Sequence, residues 1–399
     1  VEIKKNIIIV APSVLPIPAV ESGAYEQLIE LIIDENELDY KVNFIVISLE
    51  NLKTKKARAK YKNTKFVDFR NSILLRVLNK VHKYTLLLFT KREWYNYHIT
   101  QVIDIVKKTK FDKILLFGGV HYIRPISNYV DKEKLIFYLA TELLSSANDF
   151  SLCNKILLGN KRMISKIKEI NIDLSSTKLA NLRPGIDINY YQGFNLDSSL
   201  QLKEKFNIDI DTTVITYVGR IVNSKGVSIL LKSCLKLNAA NKFKLILIGS
   251  LGSNFGSNLS GHNQTDTEGI LQLIEELGSK CIGTGFVDVA DLPNYLSLTD
   301  IGVVPSICED VAPGSYLQFL CLGKATVVSD AGGIPEFFSG DYSLMFKRGE
   351  EMVNDLAGHL EFLINNRDVR TRMGQEALRM RPSLSKERYC NDLIDLLLN

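Results

Sequence analysis

Short, unbroken apolar runs alternate with longer stretches of helical spacing along this chain. "NIIIVAP" at residues 6–12 is β-branched and apolar without alternation, the pattern of a strand buried on both faces. A Pro/Gly loop follows, then "AYEQLIELII", whose apolar positions recur at helical spacing. Runs of the first kind return at 42–48, 113–119, 134–140 and 155–160. The pattern restarts after "LRPGID" (182–187), with runs at 213–220, 243–250, 300–306 and 325–330. "VSILLKSCLKL" and "SYLQFLCLG" read as helices between them. Continuous strands alternating with helices predict parallel sheets covered on both faces. The expectation is therefore α/β, with two Rossmann-like domains at 1–185 and 186–382, and a last helix within 383–399 packed back on the first. In such sheets ligands bind beyond the carboxyl ends of the strands. The loops after Val10, Phe117, Val218, Ile248 and Val304 are the candidates. The Gly-, Ser- and Asn-rich segment 251–267 reads as a long mobile loop.

Length and composition agree with this division: 399 residues, 46% hydrophobic, suffice for two cores. No segment reaches the roughly 18 apolar residues that would span a bilayer. Lys4 and Lys5 before an apolar run look like a secretory signal, but the run breaks at Pro12 and reads as a strand. Six cysteines without paired spacing read as reduced thiols of a cytosolic protein. Net charge +4 conceals an asymmetry. Residues 1–190 hold about 30 basic and about 20 acidic side chains, and the acids prevail in the remainder. "LKTKKARAKYKNTK" (52–65) has cations and no acid, and Arg70, Arg76, Lys80 and Lys83 follow among apolar residues. Residues 52–92 are either a solvated face or a peripheral surface for an anionic membrane. Nucleic acid is not an expected partner, since no stacking motif is present and the second half is acidic.

Two segments carry chemistry. In "YVGRIVNSKG" (217–226) a strand ends in a glycine turn that presents Arg220 and Lys225, a cation pair suited to a pyrophosphate. A solvated turn is the plain alternative. "VVPSICEDVAPGSYLQFLCLGKATVVSDAGGIPE" (303–336) reads as strand, acidic loop, helix from near Gly314, strand and glycine pair. The free N–H groups at Gly314 and Ser315 suit an anion, and Glu309 and Asp310 suit sugar hydroxyls.

These segments resemble the retaining GT-B glycosyltransferases of family 4, also called glycosyl transferases group 1. The resemblance rests on Gly219, Arg220, Lys225 and Gly226, on "GFVDVADLPNYLSLTDIGVVPS" (285–306), on "GKATVVSDAGGIPE" (323–336) and on "RPGID" (183–187). "PIPAVESGAYEQLI" (16–29) is similar to the glycine-rich loop of a bacterial polysaccharide branch, which approaches the donor pyrophosphate and the acceptor, with Ser22 and Gly23 at its small positions. "GGVHYIRP" (118–125) is similar to the segment bearing the family's cleft histidine, here His121.

The resemblance implies two domains facing each other across a cleft, the first binding acceptor and the second donor. It implies a nucleotide-sugar donor, a glycan or lipid-linked acceptor, retention of anomeric configuration, and neither metal nor cofactor. Arg220 and Lys225 would neutralise the diphosphate, and Asp310 or Glu309 would orient the sugar. Gly249, Gly285, Phe286 and Val287 would hold the base. The family's two glutamates, seven residues apart, fall here at Asp310 and Gln318. Their replacement either tunes the donor or marks a non-catalytic subunit supporting a partner transferase. "DID" (209–211) and "DVAD" (288–291) imitate carboxylate metal pairs but sit at turns beside strands.

Overall fold

The computed structural model describes residues 4–12, 15–20, 23–70, 97–139, 147–169, 173–175, 177–251, 264–309, 311 and 313–399. Ser22, Asp310, the 71–92 part of the basic stretch and 252–263 of the glycine-rich loop lie outside them. The chain forms two units, one of Val1–Gly185 with Lys386–Asn399 and one of Ile186–Ser385.

The first unit is built on a parallel sheet of β1 (Asn6–Val10), β2 (Asn43–Leu49), β3 (Thr64–Phe69), β4 (Lys113–Phe117), β5 (Leu135–Leu139), β6 (Lys155–Leu158) and β7 (Lys178–Asn181). Their order is β3-β2-β1-β4-β5-β6-β7. Side chains alternate between two cores, which is why the strands read as unbroken apolar runs. Ile8, Val10, Ile114 and Leu116 enter one core. Ile7, Ile9, Leu115 and Phe117 enter the other. The helix Ala24–Asp39 covers the second face through Ile29, Ile32 and Ile33. Against it packs the C-terminal helix Lys386–Leu398, burying Tyr389, Leu393, Ile394 and Leu397. Arg388 on this helix donates to the carbonyls of Arg183 (2.7 Å) and Pro184 (2.8 Å), fixing the segment where the chain leaves the unit.

The described part of the basic stretch is folded into this unit. It forms the helix Thr54–Arg58 and the edge strand β3. Arg58 donates to Asp68 (2.8 Å), Ser48 (2.9 Å) and the Ile17 carbonyl (2.9 Å), while Lys60 pairs with Asp34 at 2.9 Å. Glu37 accepts from the backbone of Lys62 and Asn63 at 2.8 and 2.9 Å. An acidic stripe on Ala24–Asp39 thus answers some of the cations, and Lys55, Lys56, Lys62 and Lys65 stay exposed.

The second unit repeats the plan with β8 (Thr213–Val218), β9 (Phe243–Ile248), β10 (Cys281–Gly285), β11 (Ile301–Val304), β12 (Ala325–Ser329) and β13 (Ser343–Phe346). All are parallel, in the order β10-β9-β8-β11-β12-β13. Tyr217, Leu245, Leu247, Val303 and Val327 enter one core, and Val214, Ile246, Val304 and Val328 the other. The "RPGID" turn has a local cause: Asp187 caps the helix Ile188–Gln192, accepting from Tyr190 N–H at 3.1 Å. Residues 251–267, read as one loop, are more structured at their ends. Leu251 bridges to Ile221, and a helix starts at Gln264. Four strands went unread in the sequence: β3, β7, β10 and β13.

Candidate functional site

Each sheet reverses its strand order once, between β1 and β4 and between β8 and β11. Such reversals open a crevice at the carboxyl edge, where open α/β sheets bind ligands. The described candidate residues fall at the strand ends at or beside these two reversals.

In the second unit β8 ends at Val218 and the chain turns through Gly219. The Tyr217 hydroxyl donates to the Arg220 carbonyl at 2.7 Å, and the Arg220 side chain stays exposed. Lys225 is partly buried and closes a short 3-10 turn, Asn223–Lys225. Gly226 follows at φ 74°, and a Cβ there would stand 1.8 Å from the Pro305 carbonyl oxygen. That approach lets the Ser224 carbonyl accept from both Ile307 and Cys308 N–H, each at 3.1 Å. The cationic loop after β8 is thereby joined to the acidic loop after β11. Gly249 shows the same economy beside it, since its Cβ would lie 1.9 Å from the Gly219 carbonyl. Its N–H donates to the Gly285 carbonyl at 3.0 Å, so the ends of β8, β9 and β10 form one backbone surface. Phe286 stands out of it, 57% exposed, with Val287 partly buried behind.

The helix Gly314–Cys321 begins at this edge with no side-chain cap, and nothing lies within 4 Å of a Cβ built on Gly314. Its first N–H groups and dipole favour an anion there. Ser315 is partly buried in the same turn. Gln318, one turn on, donates to the Tyr191 hydroxyl at 2.8 Å, and its Oε1 is buried without a partner. Glu309 is engaged rather than open. One oxygen accepts from Gly332 N–H at 3.0 Å and the other pairs with Arg348 at 2.9 Å. Arg348 and Tyr191 join this candidate site with no sequence motif pointing to them, and Asp330, though inside the segment 323–336, carries no role there from the sequence alone.

In the first unit Gly23 is the N-cap of Ala24–Asp39. The Glu26 carboxylate folds back over it, 2.3 Å from where a Cβ would stand. Glu26 is 4% exposed, and burial pushes its carboxyl up to about 7. His121 sits in the turn after β4, its ring 4.4 Å from Tyr122 and 5.8 Å from His98. It keeps an open side to solvent, while the aromatic wall on the other side lowers its pKa by desolvation. Burial, helped by the neighbouring His121, brings His98 down to about 4, and its Nε2 is buried without a partner. Both imidazoles are neutral at pH 7. Sequence spacing gave no sign of His98 or Glu26.

Among the described residues no helix is long and apolar enough to cross a membrane, and no three metal-binding side chains gather. Asp211 pairs with Lys242.

Residues 199–380, inside the second unit, match the family described as glycosyl transferases group 1. Lipopolysaccharide 1,2-N-acetylglucosaminetransferase of Salmonella typhimurium is 30% identical over 137 residues, 34% of this chain and 35% of that protein. Capsular polysaccharide biosynthesis glycosyltransferase CapM of Staphylococcus aureus is 25% identical over 244 residues, 61% of this chain and 57% of its own. The chain thus spans between about a third and three fifths of these curated relatives. Over the whole length the fold is GT-B. The Anabaena protein HepE, crystallised with UDP and glucose, superposes with a TM-score of 0.74 at 16% identity, covering 98% of this chain and 99% of its own.

Proposed function

Residues 199–380 belong to the glycosyl transferases group 1 family, and from that premise we propose that this chain is a glycosyltransferase. It moves a sugar from a nucleotide-diphosphate sugar to a glycan or lipid-linked acceptor in cell-surface polysaccharide or glycoconjugate assembly, with retention at the anomeric carbon and without a catalytic metal. The observation that carries this reading is the joined pair of loops after β8 and β11. They present Arg220 and Lys225 at the same edge as the uncapped N-terminus at Gly314 and Ser315.

The donor's diphosphate lies on these groups. As the bond from its oxygen to the anomeric carbon breaks, negative charge grows where two cations and free N–H groups are already fixed. That preorganised field is the main source of rate enhancement. Gly249, Gly285 and Val287 supply backbone for the base and Phe286 an aromatic face. Gln318 Oε1 awaits a hydroxyl donor, which a ribose supplies. Asp310 orients the sugar by its place in the sequence. The loop of Ser22 and Gly23 serves the donor pyrophosphate and the acceptor, and the neutral His121 serves the sugar's reacting centre. Exposed Lys55, Lys56, Lys62 and Lys65 suit an anionic membrane leaflet at the cytoplasmic face, in keeping with a lipid-linked acceptor. Liposome co-sedimentation that is indifferent to anionic lipid would remove that element. Asp310 and Gln318 in place of two glutamates favour one other reading, a non-catalytic subunit supporting a partner transferase.

The test is thermal stability with UDP, GDP and ADP and their sugars, for wild type and Arg220→Ala. HepE was crystallised with UDP-glucose, so uridine nucleotides come first. A ligand at 100 times its dissociation constant stabilises by about 2.7 kcal/mol. A shift from one nucleotide that Arg220→Ala abolishes supports the donor site. No shift from any nucleotide sinks it and leaves the subunit reading.

A further inference from the structure

The order of strands in the second unit lays out the donor site as a row. Reading β10-β9-β8-β11-β12-β13, the base residues stand at the ends of β10 and β9 and the cation loop at the end of β8. Neighbouring strands are about 4.8 Å apart. A nucleotide sugar extended along this edge therefore carries its sugar past the β8–β11 crevice, toward the ends of β11, β12 and β13.

One cluster closes that end of the row, and every member lies just beyond a strand. Arg348 follows β13, Asp330 follows β12, and Ile307 and Glu309 follow β11. The Arg348 Nη1 donates to Glu309 at 2.9 Å and to the Ile307 carbonyl at 3.2 Å. Its Nε and its backbone N–H both donate to Asp330, at 2.9 and 3.1 Å. Glu309 in turn holds Gly332 N–H at 3.0 Å. One guanidinium thus ties the loops after β11, β12 and β13. The side chains of Arg348 and Glu309 are only 25% and 18% exposed, so these charge-assisted bonds are partly shielded from water.

We propose that Arg348 is a positioning residue for the sugar half of the donor: it sets the wall formed by Glu309, the Ile307 loop and Gly332, without touching the nucleotide. The proposal rests on the donor reading above and adds a residue to it. Glu309 is then a structural acid, its oxygens committed to Arg348 and Gly332. The fork geometry matters as much as the charge. A lysine offers a point charge that can meet one carboxylate but cannot bridge Glu309, Asp330 and a carbonyl together.

The experiment compares affinity for UDP with that for UDP-glucose, and the same for the guanosine and adenosine pairs, in wild type, Arg348→Gln, Arg348→Lys and Glu309→Gln. Arg348→Gln is expected to lose about 10-fold or more in affinity for the nucleotide sugar, the scale of a lost charge-assisted bond. Affinity for the nucleoside diphosphate alone stays near wild type. Arg348→Lys recovers part of the loss, and Glu309→Gln shows the same selective loss in smaller measure. Should both ligands weaken equally in Arg348→Gln and in Glu309→Gln, the role is general stability and the proposal is overturned. It is overturned as well if neither variant changes either affinity. If the wild type binds none of the six ligands, the donor reading itself has failed and this inference falls with it.

Discussion

Gly226→Ala probes whether the two site loops depend on a backbone contact that no side chain tolerates. The added Cβ meets the Pro305 carbonyl oxygen at 1.8 Å, with the Pro305 carbonyl carbon at 2.6 Å. Both are backbone atoms, so no rotamer change relieves the clash. The left-handed φ of 74° costs an alanine about 1–2 kcal/mol by itself. Relief requires residues 224–226 or 305–308 to withdraw. That breaks the two bonds accepted by Ser224 from Ile307 and Cys308, at about 1 kcal/mol each. The expected loss is about 3–4 kcal/mol. Urea unfolding of the full chain, followed by probes in each unit because two units need not melt together, measures it. Gly358→Ala is the control. It lies exposed in the helix Met352–Asn365 with nothing within 4 Å of its Cβ, and should gain up to about 1 kcal/mol from helix propensity. Nucleoside diphosphate affinity should fall in Gly226→Ala and hold in Gly358→Ala. A Gly226→Ala loss below about 1 kcal/mol would refute the argument, since the αL strain alone accounts for that much.

Two buried groups in the first unit predict opposing pH dependences. Burial raises Glu26 from 4.5 to about 7, so between these values the folded state binds the proton that the unfolded state has released. Stability falls as pH rises through that window, by up to about 3 kcal/mol, and Glu26→Gln should be the more stable protein above pH 7 with parity near pH 4.5. His98 is lowered from 6.5 to about 4, so the unfolded state takes up a proton that the folded state refuses. Stability is lost as pH falls through that window, by at most about 3 kcal/mol, and His98→Phe should lack this acid loss. The slopes oppose where the windows overlap, so the wild type is flatter there than either variant. Denaturation midpoints at half-unit pH steps decide both, and a wild type and variant with parallel profiles would count against the corresponding burial.

What the sequence disclosed and what it withheld divide along one physical line. Five of the runs read as strands end in the structure at Val10, Phe117, Val218, Ile248 and Val304, the residues after which the candidate binding loops begin. Strands buried on both faces write themselves as unbroken apolar runs. The four unread strands, β3, β7, β10 and β13, are the two edges of each sheet. Edge strands keep one side in water and are short or charged to avoid pairing with other chains. β10 reads "CIGTG" with no buried residue, and β3 reads "TKFVDF" inside what looked like a charge run. The same division governs the site. Arg220, Lys225 and the Gly314 helix start are local, set by a turn and a helix end a few residues long. Arg348 meets Asp330 across 18 residues and Glu309 across 39, a juxtaposition produced only by parallel strands delivering their ends to one edge. Glu26 and His98 are ordinary residues until the fold buries them. Their altered acidity belongs to the packing around them and has no signature in spacing. The residues that hold charge steady in this protein are therefore found by tracing which strand ends meet, and those that present charge by reading the loops between them.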